Sequence, residues 1–168
     1  MSVLFISDFH LGHRTIIDHQ KGLRPADSLQ QHDDWVINQC LAAGATKRTL
    51  WYILGDVSME VDLVSRIDEL PGRKILIPGN HDLLDTQVYL KHFDKILGGF
   101  KKYGMWITHM PLHPLELRGK VNIHGHCHHN TIKEDLRYLN VSIEWAPNKM
   151  PVSLDQVRTI FRERGYSL

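Results

Sequence analysis

Apolar residues come in short runs along this chain, and most runs end at turn residues that carry Asp, Asn or His. The first, Val3, Leu4, Phe5 and Ile6, closes at Ser7-Asp8. An apolar run bounded by a polar turn predicts a buried strand, here with Asp8 at its carboxyl end. The run 50–54, ended by Gly55-Asp56, and the run 74–77, turned by Pro78-Gly79, repeat the pattern. Between them the spacing changes. Residues 28–43 place Leu29, Trp35, Val36, Cys40 and Leu41 mostly at helical intervals, with Gly44 as a stop. Val61, Leu63, Val64, Ile67 and Leu70 mark a second helix halted by Pro71-Gly72. Strand and helix therefore alternate through the first half, the sign of an open α/β sheet whose strand ends face a crevice.

Further along, the rhythm shortens. The stretches 93–97, 100–103, 105–108 and 121–124 are strand candidates separated by Gly-containing turns, which predicts a meander or a mixed second sheet. A last helix is expected over 154–164, where Val157, Ile160 and Phe161 share a face and Gly165 follows as the C-cap. With no linker, repeat or low-complexity segment, residues 1–168 read as one domain, long enough for a real core. A formal net charge of +1 offers no broad surface to nucleic acid or an acidic membrane, so recognition is expected to be local. Cys40 and Cys127 make no disulfide framework. No stretch approaches the roughly 18 apolar residues of a membrane span, and the first residues lack a leader pattern. The expectation is a cytoplasmic protein in a reducing compartment.

Five polar clusters carry the chemistry: Asp8-x-His10, Gly55-Asp56, Gly79-Asn80-His81-Asp82, Thr108-His109 and Gly125-His126-Cys127-His128. Each has a plain alternative. Asp-x-His occurs on polar surfaces, a turn Asp such as Asp56 commonly bonds its own backbone, Gly-Asn is an ordinary turn pair, and His109 alone reads as a structural histidine. Together they supply carboxylate, amide and imidazole donors from every third of the chain, which suits a two-cation site; structural zinc asks for a closed Cys/His set. On an extended backbone Asp8 and His10 face one side, as do His126 and His128, with Cys127 turned away. Asp56 has two oxygens with which to bridge two ions, and Asn80 offers a neutral carbonyl. His81 is suited to donate a proton to substrate, with Asp82 orienting its ring. His124 and His129 are surplus imidazoles, expected behind the ligands or at the surface.

In this order the five clusters resemble the motifs of the calcineurin-like metallophosphoesterases, over about residues 8 to 128. The resemblance implies an α/β fold built as a two-sheet β-sandwich flanked by helices, with metals at the strand ends. It implies one ion held by Asp8, His10, Asp56 and His128, and a second held by Asp56, Asn80, His109 and His126. It also implies hydrolysis of a phosphate ester, a phosphodiester first, by a hydroxide bridging the two cations. A phosphomonoesterase, a nuclease and a non-catalytic interaction scaffold are the alternatives. The near-neutral charge weighs against a nuclease, and the full donor set weighs against a scaffold. Manganese is the first expected metal, with iron, zinc or nickel compatible with mixed N/O donors. The expected substrate is a small molecule or nucleotide. His13 and Arg14, directly after the first cluster, are candidates to touch its phosphate. The segments 21–27 and 111–120, the latter with Arg118 and Lys120, are expected pocket walls.

Overall fold

Strands buried on both faces lie at the centre of the fold. β1 (Val3–Ile6) and β2 (Leu50–Ile53) are buried along their whole length, and β3 (Arg73–Leu76) after its first residue. Burial on both faces suits parallel pairing between covering layers. The structure, a computed structural model describing residues 2–168, places them in a five-stranded sheet of order β4-β3-β2-β1-β9. Here β4 is Lys95–Ile96 and β9 is Val152–Ser153. β9 is antiparallel to β1, and the other pairs are parallel. The register sets Ile6, Ile53 and Leu76 abreast, so the three loops that follow leave the sheet side by side.

The second sheet has the order β5-β6-β7-β8, formed by β5 (Phe100–Lys102), β6 (Met105–Ile107), β7 (Val121–His124) and β8 (Tyr138–Asn140). Only β5 and β6 are antiparallel, so the sheet is mixed and not a meander. The run 93–97, expected in this sheet, contributes β4 to the first one, where Ile75 pairs with Lys95. β8 and β9 were not expected from the pattern; at three and two residues they are too short to show alternation. A bridge between Ser7 and Ser142 joins the two sheets at the end of β1. Phe5 stacks on Tyr52 at 5.3 Å, and Tyr52 reaches Phe100 of the second sheet at 5.8 Å, within a continuous apolar core.

Helices flank the sheets: α1 (Ile16–His19), α2 (Leu29–Ala42), α3 (Thr86–Tyr89) and α4 (Leu154–Glu163). Ser28 caps α2, and Ser153 with Gln156 forms a capping box on α4. The segment expected as a helix over 61–70 tightens to a 3₁₀ helix, Asp62–Glu69, that buries Val64 and Ile67. In α2 the buried face is His32, Asp33, Val36, Ile37 and Cys40, at i, i+4 spacing, and Leu41 is left 41% exposed. Two polar residues thus displace the apolar face that the sequence favours. No helix among the described residues is long and apolar enough to cross a membrane.

Candidate metal centre

The abreast ends of β1, β2 and β3 carry three polar loops, and β6 and β7 bring two more against them. Such close approach depends on missing side chains. A Cβ on Gly125 would stand 1.8 Å from Ser7 Oγ, and one on Gly79 would stand 2.2 Å from Asp56 Oδ1. Asp8, His10, Asp56, His126 and His128 all have φ between 48° and 68°. That left-handed region costs a non-glycine residue roughly 1 kcal/mol or more. Left-handed turns, not strand alternation, therefore align Asp8 with His10 and His126 with His128. Hydrogen bonds between loops offset the strain: His10 N–H donates to the Asp56 carbonyl at 2.8 Å, and His126 N–H to the Asp8 carboxylate at 2.9 Å.

Two donor groups result, Asp8 with His10 and His128, and Asp56 with His109 and His126; within each, the ligand atoms lie within 4.8 Å of one another. Asp56 joins the two, since its Oδ2 is 3.4 Å from His10 Nε2 and 3.5 Å from His109 Nε2. The tautomers follow from the partners. His128 Nδ1 donates to Glu144 Oε1 at 2.6 Å and His109 Nδ1 to the Leu54 carbonyl at 2.5 Å, which leaves both Nε2 lone pairs turned inward. The His109 lone pair then faces the carbonyl oxygen of exposed Asn80 at 3.1 Å. Two acceptors aimed at each other are stabilised by a cation between them. Both ring nitrogens of buried His10 lack a hydrogen-bond partner among the described residues, and a cation at one of them removes half of that deficit. Burial pushes the His10 and His126 imidazoles below their ordinary pKa, keeping them neutral, and pushes the Asp56 carboxyl up, with Asp8 adding to that rise against His109. Neutral imidazoles facing crowded carboxylates fit two divalent ions.

His81 is half-buried, with its ring 5.3 Å from His10 and 6.0 Å from His13, while His13 lies 5.3 Å from His10. Both imidazoles thus flank the first donor group, whereas Arg14 is exposed. Asp82 does not orient the His81 ring. Its Oδ2 accepts the backbone N–H groups of Asp56 and Gly79, each at 2.8 Å, and its Oδ1 accepts that of Val57 at 2.9 Å. Three amides converging from two loops satisfy the carboxylate and make it a clamp between those loops. Beside His81 lies a small cavity of about 220 Å³ lined with Met59, Leu83 and Leu84. A larger one, about 370 Å³, is walled by Tyr138, Trp145 and Arg164 and holds none of the donors. In the 111–120 loop Arg118 pairs with Glu116 at 3.4 Å, and Lys120 is exposed. His124 is buried in β7, and exposed His129 meets Gln20 at 3.0 Å.

No family model matches the chain. Over 83 residues it is 34% identical to the Gene 66 protein of Mycobacterium phage L5, a match that takes in 46% of this chain and 38% of that protein's length. With the Gene 66 protein of Mycobacterium phage D29 it shares 24% identity across 96% of each. Among solved structures it is similar to the protein of unknown function AQ665 from Aquifex aeolicus, with a TM-score of 0.71 and 24% identity over 95% of this chain and 98% of that one. That likeness shows a shared fold.

Behind the first donor group stands a buried network that no pattern in the sequence announces. Arg24, 2% exposed, donates through Nη2 to the Asp8 carbonyl and to Glu144 Oε2, both at 2.6 Å. Its Nη1 donates to the Phe9 carbonyl at 3.0 Å and to His32 Nε2 at 2.7 Å. His32 Nδ1 in turn donates to Asp33 Oδ1 at 2.7 Å, and Asp33 accepts the Gly12 N–H at 3.2 Å. Ser142 Oγ donates to Asp8 Oδ2 at 2.8 Å. Burial works against the Glu144 charge, but the His128 hydrogen bond and Arg24 hold the carboxyl down at about 2. Burial likewise opposes a charged His128, yet Glu144 and Asp8 leave its pKa raised. Within 21–27, expected as a pocket wall, Arg24 turns inward. No local pattern announces this, because Arg24 and Glu144 are 120 residues apart in sequence.

Proposed function

We propose that this chain is a metal-dependent phosphoesterase of the calcineurin-like class, folded as one domain over residues 1–168, and that it hydrolyses phosphodiesters. The observation that carries the reading is Asp56, one oxygen of which faces a histidine of each donor group at 3.4 and 3.5 Å. Asp8, His10, Asp56 and His128 would hold one divalent ion, and Asp56, Asn80, His109 and His126 a second, with Mn²⁺ the first choice and iron, zinc or nickel compatible. When bound, such ions polarise phosphoryl oxygens and bring the pKa of water down toward about 7.

The chain's own residues supply the rest. His81, next to His10, donates a proton to the leaving oxygen, and His13 hydrogen-bonds a phosphoryl oxygen. Asp82 keeps His81 in place through the backbone, by clamping the loops on either side of Asp56. Arg24 has its guanidinium committed to Asp8, Phe9, His32 and Glu144, so imidazoles face the substrate. A diester, with one negative charge, asks less of such a surface than a monoester dianion. The 220 Å³ cavity beside His81 is smaller than the roughly 300–1,000 Å³ of sites for drug-sized ligands, which favours a small molecule or a single nucleotide. Two free cysteines, Cys40 buried, accord with a reducing cytoplasm.

Purified protein with Mn²⁺ is expected to hydrolyse bis(p-nitrophenyl) phosphate faster than p-nitrophenyl phosphate and to stop when a chelator is added. Turnover that survives excess chelator overturns the metal mechanism, and a preference for the monoester overturns the substrate class.

A further inference from the structure

The two donor groups are alike at first sight, each with a carboxylate and two imidazoles, but what stands behind them differs. His109 Nδ1 rests on the neutral carbonyl of Leu54. His128 Nδ1 rests on the Glu144 carboxylate, whose side chain is fully buried and whose other oxygen takes the Arg24 guanidinium. Arg24 Nη2 also holds the Asp8 carbonyl, at a residue whose left-handed backbone needs holding. One guanidinium therefore fixes two donors of the same group, Asp8 directly and His128 through Glu144. The chain of contacts from Arg24 through His32 and Asp33 returns to Gly12, two residues beyond His10. Among the described residues no buried ion pair backs the Asp56, His109 and His126 group; Asp82 holds the Asp56 backbone there through its amide and does not reach the His109 ring.

From this asymmetry we infer that Glu144, held by Arg24, is a positioning residue that makes the two cation positions unequal, the Asp8–His10–His128 position being the tighter. A carboxylate behind a ligating histidine orients the ring and strengthens it as a donor, and such outer partners are typically worth roughly 10–100-fold in metal affinity. Stability alone is a poor reason for the pair, since buried ion pairs are often no better than apolar residues of the same size. A positional role accounts for it.

The inference rests on the proposed metal centre, and calorimetric titration of the metal-free full chain with Mn²⁺ tests it without any substrate. The native protein is expected to take up two equivalents in distinguishable steps. Glu144→Gln should weaken the tighter step roughly 10–100-fold and leave the other within about twofold, and Glu144→Asp should recover part of the loss. The double variant Arg24→Met with Glu144→Met removes both buried charges together, so neither is stranded, and should show the same selective loss. Melting of each metal-free variant reports whether the fold is intact. Two equal native steps, no change in Glu144→Gln, or equal weakening of both steps overturns the inference and leaves the phosphoesterase reading standing. A native protein that binds no Mn²⁺ overturns both.

Discussion

Asp56 Oδ2 stands between His10 and His109, so a change at this one residue reaches both proposed cation positions. Asp56→Asn is expected to weaken both Mn²⁺ equivalents by at least about tenfold in the same titration. His81→Ala should keep both equivalents and lower kcat by roughly 10²–10⁴-fold, the usual worth of a positioned proton donor; a matching loss of metal would show that His81 is a ligand instead. Asp82→Ala removes the acceptor of three backbone amides and should lower the unfolding free energy by about 3 kcal/mol in denaturant titrations. At this scale the candidate donors were legible because residue type itself reports which side chains can hold a metal. The job of Asp82 was not, because its partners are backbone amides of Asp56, Val57 and Gly79, and amides look alike in any sequence.

Parallel strands in matched register deliver the loops, and small residues let the loops meet. Gly125→Ala places a methyl 1.8 Å from Ser7 Oγ, where Ser7 already donates to the Leu54 carbonyl. The resulting strain is expected to lower the melting temperature by roughly 10 °C, the shift that about 3–4 kcal/mol produces in a chain of this size; an unchanged melting curve would show that the loops separate freely. Apolar runs and Gly or Pro stops located β1, β2, β3, β6, β7, α2 and α4 from the sequence. The run 93–97 was legible as a strand but not as a neighbour of β3, since a two-residue ladder leaves no trace of its partner. The buried face of α2 was misplaced for a related reason. His32 and Asp33 are tolerable inside only because Arg24, Gly12 and each other satisfy them, and those contacts cross from another segment.

At the scale of the whole molecule, the proposed metal centre would join the ends of both sheets and so couple cation binding to folding. Mn²⁺ at about 100 times its dissociation constant should add about 2.7 kcal/mol to stability, raising the melting temperature by roughly 5–10 °C, and chelator should reverse the rise. A melting point indifferent to Mn²⁺ would contradict a centre assembled from both sheets. The sequence by itself determined the strand-rich α/β character, the five polar clusters and their donor chemistry, because hydrophobic spacing and side-chain type act locally. Only the tertiary structure decided that the clusters meet, through left-handed turns and glycine contacts, and that Arg24 and Glu144 stand behind them. Those outcomes depend on which strands pair and in what register, and that is settled by burial and hydrogen bonding between segments far apart in the chain.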